Sequence, residues 1–158
     1  MKKKKLNKNS ITSILKISDP FLMVDHFFEK KVGKKGIGKK KVNLKDWYFK
    51  SHFIDEPVMP GTLQIEAMLQ TIALIVYKKS GSNLDRCLIT KTKSNFYSKI
   101  NKSGELKIDA QINKDKKNII EAKATIFFKN KKVSDGLFGF IKTGKLKINL
   151  WKNLLIKV

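Results

Sequence analysis

The stretch DWYFKSHFIDEPVMPGTLQIEAMLQTIALIVY, residues 46–77, decides how this chain folds. From Thr62 to Lys79 it is made of good helix formers with no Pro or Gly inside, and Ser80-Gly81 follows as a stop. Leu63, Ile65, Ala67, Met68, Leu69 and Ile72 through Tyr77 are apolar nearly all round, so other structure must wrap this helix. At ~1.5 Å per residue it is ~27 Å long, a length that a curved sheet can enclose. Pro60-Gly61 makes a tight turn at its start, where unpaired backbone N–H groups favour negative charge. His52 stands just upstream and Glu66 lies on the second turn. A base, a carboxyl group and backbone donors can therefore meet in one small volume, the arrangement sought in an active site.

Outward from this stretch the chain reads as alternating elements. Residues 1–9 read as a flexible basic tail, and Ser10 is placed to cap a short helix over 10–17 carrying Ile11, Ile14 and Leu15. Asp19-Pro20 breaks that helix. Phe21–Val32 reads as a buried strand, Gly33 to Gly38 as a turn, and Ile37–Leu44 as a second strand, together a hairpin. The Trp47-Tyr48-Phe49 cluster fits either a pocket wall or plain core packing. Beyond Gly81 the period changes to two. Arg86–Tyr97, Glu105–Asn113, Asn118–Lys129 and Lys132–Thr143 read as four strands, separated by turns such as Lys102-Ser103-Gly104 and Lys114–Lys117. The order predicts one α+β domain over residues 1–158, with an antiparallel sheet of about six strands. Residues 145–158 form a C-terminal extension; Leu146, Ile148 and Leu150 alternate before Trp151, Leu154, Leu155 and Ile156 cluster, and strand and helix both fit.

Composition narrows the functional classes. A chain of 158 residues with 41% apolar content and ten Phe is globular and large enough for a real core. The single cysteine, Cys87, excludes an internal disulfide, suits a reducing compartment and reads as packing. The net charge is +22, yet Arg86 is the only arginine. Readers of nucleic acid favour arginine for bidentate contacts, so the lysine excess reads as compositional bias and a solvated surface. Such a surface attracts anions and acidic proteins in a salt-sensitive way. No apolar run follows MKKKK as in a signal peptide, and none reaches the ~18 residues of a membrane span, so the expectation is a soluble, cytoplasmic protein. No His/Cys/Asp/Glu cluster has metal-ligand spacing and there is no Gly-rich phosphate loop; no cofactor is expected.

Trp47-Tyr48-Phe49, Ser51-His52-Phe53, Asp55-Glu56-Pro57-Val58-Met59-Pro60-Gly61 and Leu63…Glu66-Ala67-Met68…Gln70 closely resemble the signature of the 3-hydroxyacyl-(acyl-carrier-protein) dehydratases of the FabA/FabZ type. The likeness runs more weakly from Pro20-Phe21-Leu22-Met23-Val24-Asp25 to about Thr143. It implies the hot-dog fold, a curved antiparallel sheet round one long helix, and homodimers whose active sites are shared across the interface, often within larger assemblies. It further implies His52 as catalytic base and Glu66 as the catalytic carboxylate supplied by the other protomer. The Gly61 N–H matches the donor to the thioester oxygen, and the Val58 carbonyl matches the group that orients the histidine ring. Gln70 matches the polar neighbour of the carboxylate, and Phe53 falls with the substrate-binding positions. His26 and the turn residues Asp55 and Glu56 read as structural.

The chemistry explains these residue types. Dehydration of a 3-hydroxyacyl thioester takes a weakly acidic C2 proton, which imidazole can accept near neutral pH. The enolate-like charge needs N–H donors, and the hydroxyl leaving C3 needs a proton from a carboxyl group kept neutral by burial. Ser51 departs from the family's usual Gly or Cys, and the Gly104 turn lacks prolines common there. The aromatic run and Asp55-Glu56-Pro57-Val58-Met59-Pro60-Gly61 resemble the branch that also isomerises the product, whereas Glu66 is the carboxylate of the dehydration-only branch. Dehydration is favoured and isomerisation stays open. The alternatives are a hot-dog thioesterase and, from another class, a basic binding protein for nucleic acid or acidic partners, supported by charge alone. Lysines at 30–41, 91–93 and 114–117 are candidates for docking an acidic acyl carrier protein whose phosphopantetheine arm would enter beside Gly61.

Overall fold

The apolar stretch after Pro60 forms a single long helix, Gly61–Ser80, 20 residues in all. In a computed structural model of the chain the described residues are 5–80 and 87–142. The expectations for residues 1–4, the Gly81 stop, Arg86 and the extension over 145–158 fall outside them. A short helix α1 (Lys8–Leu15) precedes this helix, α2, and a 3-10 turn spans Trp47–Lys50. Seven strands follow in chain order as β1 (Lys5–Leu6), β2 (His26–Lys31), β3 (Lys35–Val42), β4 (Cys87–Phe96), β5 (Gly104–Lys116), β6 (Ile119–Phe128) and β7 (Lys131–Lys142). They make one sheet in the order β1-β2-β3-β5-β6-β7-β4, with every pairing antiparallel. Bulges in β4 between Ile89 and Lys91, and in β5 between Ile112 and Lys114, bend the strands. The result is the hot-dog fold, a sheet curled round one helix.

Alternation drives the wrapping. Leu106, Ile108, Ala110 and Ile112 of β5, with Ile120, Ala122, Ala124 and Ile126 of β6, are buried, and lysines alternate with several of them on the outer face. Against them lie Ala67, Met68, Ile72, Leu74 and Ile75 of α2, all fully buried. Two tight hairpins hold the register. Lys117-Asn118 (φ 51° and 65°) and Lys129-Asn130 (φ 50° and 63°) have positive φ at both central positions, the type I′ geometry that matches strand twist.

Several expectations change in detail. The sheet has seven strands, because Lys5 and Leu6 pair with Phe28 and Phe27. Residues 5–9, expected in a flexible tail, thus contribute to β1 and the start of α1. Asn7, not Ser10, caps α1, its Oδ1 accepting the Ser10 N–H at 3.0 Å. Asn is as good an N-cap as Ser, and the earlier start still puts Ile11 and Leu15 on the buried side. The strand predicted over Phe21–Val32 begins only at His26. Leu22, Met23 and Val24 are buried as expected, but the Met23 N–H donates to the Gln70 side chain and not to a neighbouring strand. Finally, Gly36 and Gly38 lie inside β3 and not in a turn. A Cβ on Gly38 would lie 2.4 Å from Thr71 Oγ1, so this glycine lets α2 approach the sheet.

Candidate active site

The 3-10 turn is pinned by its aromatics: Tyr48 and Phe49 are buried, and the Tyr48 hydroxyl donates to Asp46 Oδ2 at 2.9 Å. Burial and that carboxylate push the Tyr48 phenol far above its usual range, so it stays a neutral donor. Trp47 is half-exposed, with its indole N–H directed at the Pro20 carbonyl at 3.4 Å. Downstream, the loop over 51–60 closes on itself. The Val58 N–H donates to the His52 carbonyl at 2.8 Å, and His52 Nδ1 lies 3.2 Å from the Val58 carbonyl. A carbonyl only accepts, so this bond puts a proton on Nδ1, and in the neutral ring Nε2 then carries the lone pair. The ring stacks on Phe53 with centroids 4.0 Å apart, and Phe53 itself is largely exposed. Glu56, in the turn, forms an ion pair with Lys99. Buried Met59 ties the loop to the body through its N–H and the Ile100 carbonyl, 2.9 Å apart.

Pro60 hands the chain to α2. Its carbonyl accepts the N–H groups of Leu63 (3.1 Å) and Gln64 (3.2 Å), while the Gly61 N–H has no backbone acceptor among the described residues. That is the first-turn donor set expected at a helix start. Phe96 of β4 packs over Gly61, where an added Cβ would meet its ring at 3.0 Å.

Glu66 lines a cleft of about 140 Å³. Leu15, Ile17, Leu69, Ala73, Ile89 and Phe140 supply its apolar walls. Burial there pushes the Glu66 carboxyl above the usual carboxylate range, and a bond from Gln70 pulls the other way. Gln70 is itself buried and fully used. Its Nε2 donates to Glu66 Oε1 and to the Phe21 carbonyl, both at 2.9 Å, and its Oε1 accepts the Met23 N–H at 2.8 Å. The carboxyl is thereby aimed by a side chain one helical turn on.

The structure thus pairs His52 with Val58 and Glu66 with Gln70. It does not bring the two pairs together within one chain: among the described residues His52 neither lines the Glu66 cleft nor bonds to Glu66. Sequence reasoning missed the cleft-lining residues Leu15, Ile17, Ala73, Tyr77, Cys87, Ile89 and Phe140. Only the spacing 66, 70, 73, 77 along one helix face signalled the inner part of that set. His26 lies on β2 and is not among the residues that line the cleft. Among the described residues no group of three or more His, Cys, Asp or Glu could hold a metal ion, and no helix is long and apolar enough to cross a membrane.

Residues 17–136 match the family described as the FabA-like domain. The chain belongs to the FabA-like family. Curated relatives in this family include the 3-hydroxyacyl-(acyl-carrier-protein) dehydratase FabZ of Moorella thermoacetica, 44% identical over 66 residues, which are 42% of this chain and 46% of that protein. The FabZ of Geotalea uraniireducens is 43% identical over 72 residues, 46% of this chain and 50% of that one. The chain spans about half the length of the curated relatives it matches. Among solved structures, the dehydratase heterocomplex ApeI:P from Xenorhabdus doucetiae aligns with a TM-score of 0.74 at 11% identity, covering 90% of this chain and 97% of that one. A hypothetical thioesterase from Streptococcus pneumoniae, solved with coenzyme A, aligns with a TM-score of 0.58 at 16% identity, covering 73% and 84%. At these identities the likeness establishes the FabA-like chain's fold and nothing finer.

Proposed function

We propose that this FabA-like chain is a dehydratase that removes water from a 3-hydroxyacyl thioester, carried on acyl carrier protein, to give the trans-2-enoyl thioester in fatty acid or related lipid synthesis. The observation that carries this reading is the Glu66 carboxyl, held by Gln70 at the edge of an apolar cleft and raised in pKa by burial. A carboxyl group of that kind can deliver a proton to a departing hydroxyl. His52, with Nδ1 on the Val58 carbonyl, has Nε2 available to take the C2 proton. The Gly61 N–H at the α2 start meets the charge that develops on the thioester oxygen. The C3–O bond breaks, the C2–C3 double bond forms, and water leaves with the Glu66 proton. Phe53, stacked on the imidazole and exposed, flanks the incoming thioester.

His52 and Glu66 do not share a cleft within one chain, so we place the working site between two copies, each supplying one of the pair. The ten-residue strand β4 supports this: among the described residues it pairs with β7 alone, and Ile89, Phe96 and the following Tyr97 are about half-exposed. Subunit mixing tests the arrangement. His52→Ala and Glu66→Gln should each cost about 10²–10⁴-fold in rate. Mixed, refolded dimers should regain about one quarter of wild-type activity, because half are hybrids with one intact site of two. Single variants that dehydrate at near wild-type rate would overturn the assignment; inactive mixtures would overturn the shared site. Resolving 2-enoyl from 3-enoyl product separates dehydration alone from added isomerisation, and free thiol would expose a thioesterase.

For the carrier we propose docking on the lysine-rich face, with the enzyme in the cytoplasm, where Cys87 remains a thiol. Reversing Lys30 and Lys31 on β2, at the other end of the sheet from β4, should raise KM for carrier-linked substrate and spare short thioester analogues; equal effects on both would refute docking.

A further inference from the structure

The cleft at Glu66 continues along α2. Glu66, Gln70, Ala73 and Tyr77 follow one another at spacings of four, three and four, so they form one stripe along α2 and all line the cleft. Ala73 is the smallest of the four and leaves the middle of the stripe open. Tyr77 lies three turns beyond Glu66, and a helical side chain leans towards the N-terminus, which brings its ring back over the cleft. That ring is tethered: the Tyr77 hydroxyl accepts the Cys87 N–H at 3.0 Å, joining the helix to the start of β4. Phe140, opposite Ile89 in the β4–β7 register, is buried and adds a second wall there.

We propose that Tyr77 is the length stop for the substrate's acyl chain, with Ala73 as the neck before it, so that the site prefers short acyl groups. This rests on the dehydratase reading above and names the substrate class within it. Size decides the class. The part of the cleft that one chain supplies measures about 140 Å³, close to the ~150 Å³ cavity that accommodates benzene. An apolar tail of about six carbons fills such a space, by the same comparison. A longer tail must displace a ring held both by packing and by the Cys87 amide.

The test is a series of 3-hydroxyacyl thioesters of graded length, assayed on the full chain. In the wild type kcat/KM should rise about fourfold per methylene, the factor for burying one CH₂, and fall once the cleft is full. Tyr77→Ala should move the optimum to longer chains, and Ala73→Leu to shorter ones. Should Tyr77→Ala not fold, Tyr77→Leu asks the same question with a smaller cavity. A second readout needs no turnover. Cys87 is the sole cysteine and lines the cleft, so saturated acyl amides of the same lengths should protect it from alkylation, best near the same optimum. Profiles that superimpose for wild type, Tyr77→Ala and Ala73→Leu would overturn the length stop while leaving dehydration standing. Absence of dehydration with intact, length-dependent Cys87 protection would overturn the dehydratase reading and keep the stop.

Discussion

Replacing Gln70 by leucine removes three hydrogen bonds while changing the volume little, which makes its cost calculable. The Met23 N–H, buried and held at 2.8 Å by Gln70 Oε1, loses its partner with no water to replace it. The Phe21 carbonyl, 2.9 Å from Gln70 Nε2, belongs to a half-exposed residue and recovers solvent in part. An orphaned buried group costs about 1–3 kcal/mol, so the two together should cost about 2–4 kcal/mol. At about 2–4 °C per kcal/mol for a domain of this size, Tm should fall by about 4–16 °C in a thermal melt followed by circular dichroism. The third lost bond acts on chemistry. The Gln70 N–H favours the ionised form of Glu66 against the burial that raises it. Without it the carboxyl should rise further, and the limb of the rate profile on which Glu66 loses its proton should move to higher pH. A variant with the wild-type melting temperature and an unmoved limb would show that Gln70 neither holds the Phe21–Met23 segment nor tunes the acid.

Three further outcomes follow from the same coordinates. Because the folded Glu66 pKa lies above its unfolded value, its contribution to stability is full below the ordinary glutamate pKa and is lost as pH rises through the folded one. Urea unfolding should therefore show wild type losing stability relative to Glu66→Gln as pH rises from acid towards neutral, and a constant difference would refute it. Gly38→Ala should cost about 1–3 kcal/mol by overpacking against Thr71, and Thr71→Ala should restore much of that loss; additive effects in the double variant would show that the contact is not the cause. Lys117→Asn with Asn118→Gly gives the β5–β6 turn the residues that type I′ geometry favours, and should stabilise the fold by about 0.5–1 kcal/mol in chemical denaturation.

Most of the architecture was legible because its causes are local. Apolar residues on every side of α2, period-two alternation in β5 and β6, and a Pro-Gly turn are each written in consecutive residues. What misled the reading has its cause far away in the chain. Gly36 and Gly38 looked like turn residues because the contacts that demand them, Phe27 and Thr71, belong to other elements. Phe21–Asp25 looked like a strand because Leu22, Met23 and Val24 are indeed buried, yet the partner of the Met23 amide is a side chain 47 residues away. The same holds for the site. The His52–Val58 and Glu66–Gln70 contacts span six and four residues, within reach of motif reasoning. The cleft wall draws Leu15 from α1, Ile89 from β4 and Phe140 from β7, and only the folded sheet assembles it.

Glu66 shows how one helix can serve opposed requirements. A carboxyl group that must keep its proton needs an apolar neighbourhood, but a carboxyl group that must be aimed needs a hydrogen bond, and the second lowers the pKa that the first raises. The 3.6-residue turn resolves this by putting the two influences on adjacent parts of one face. Leu69 and Ala73 line the apolar cleft, while Gln70 crosses behind the carboxyl to reach the Phe21–Met23 segment. Because Gln70 spends its remaining polar atoms on backbone groups it cannot swing away from Glu66 without orphaning them. The orientation of the acid is thereby coupled to the stability of the fold, which is why a single substitution at this position should move both a melting curve and a pH profile.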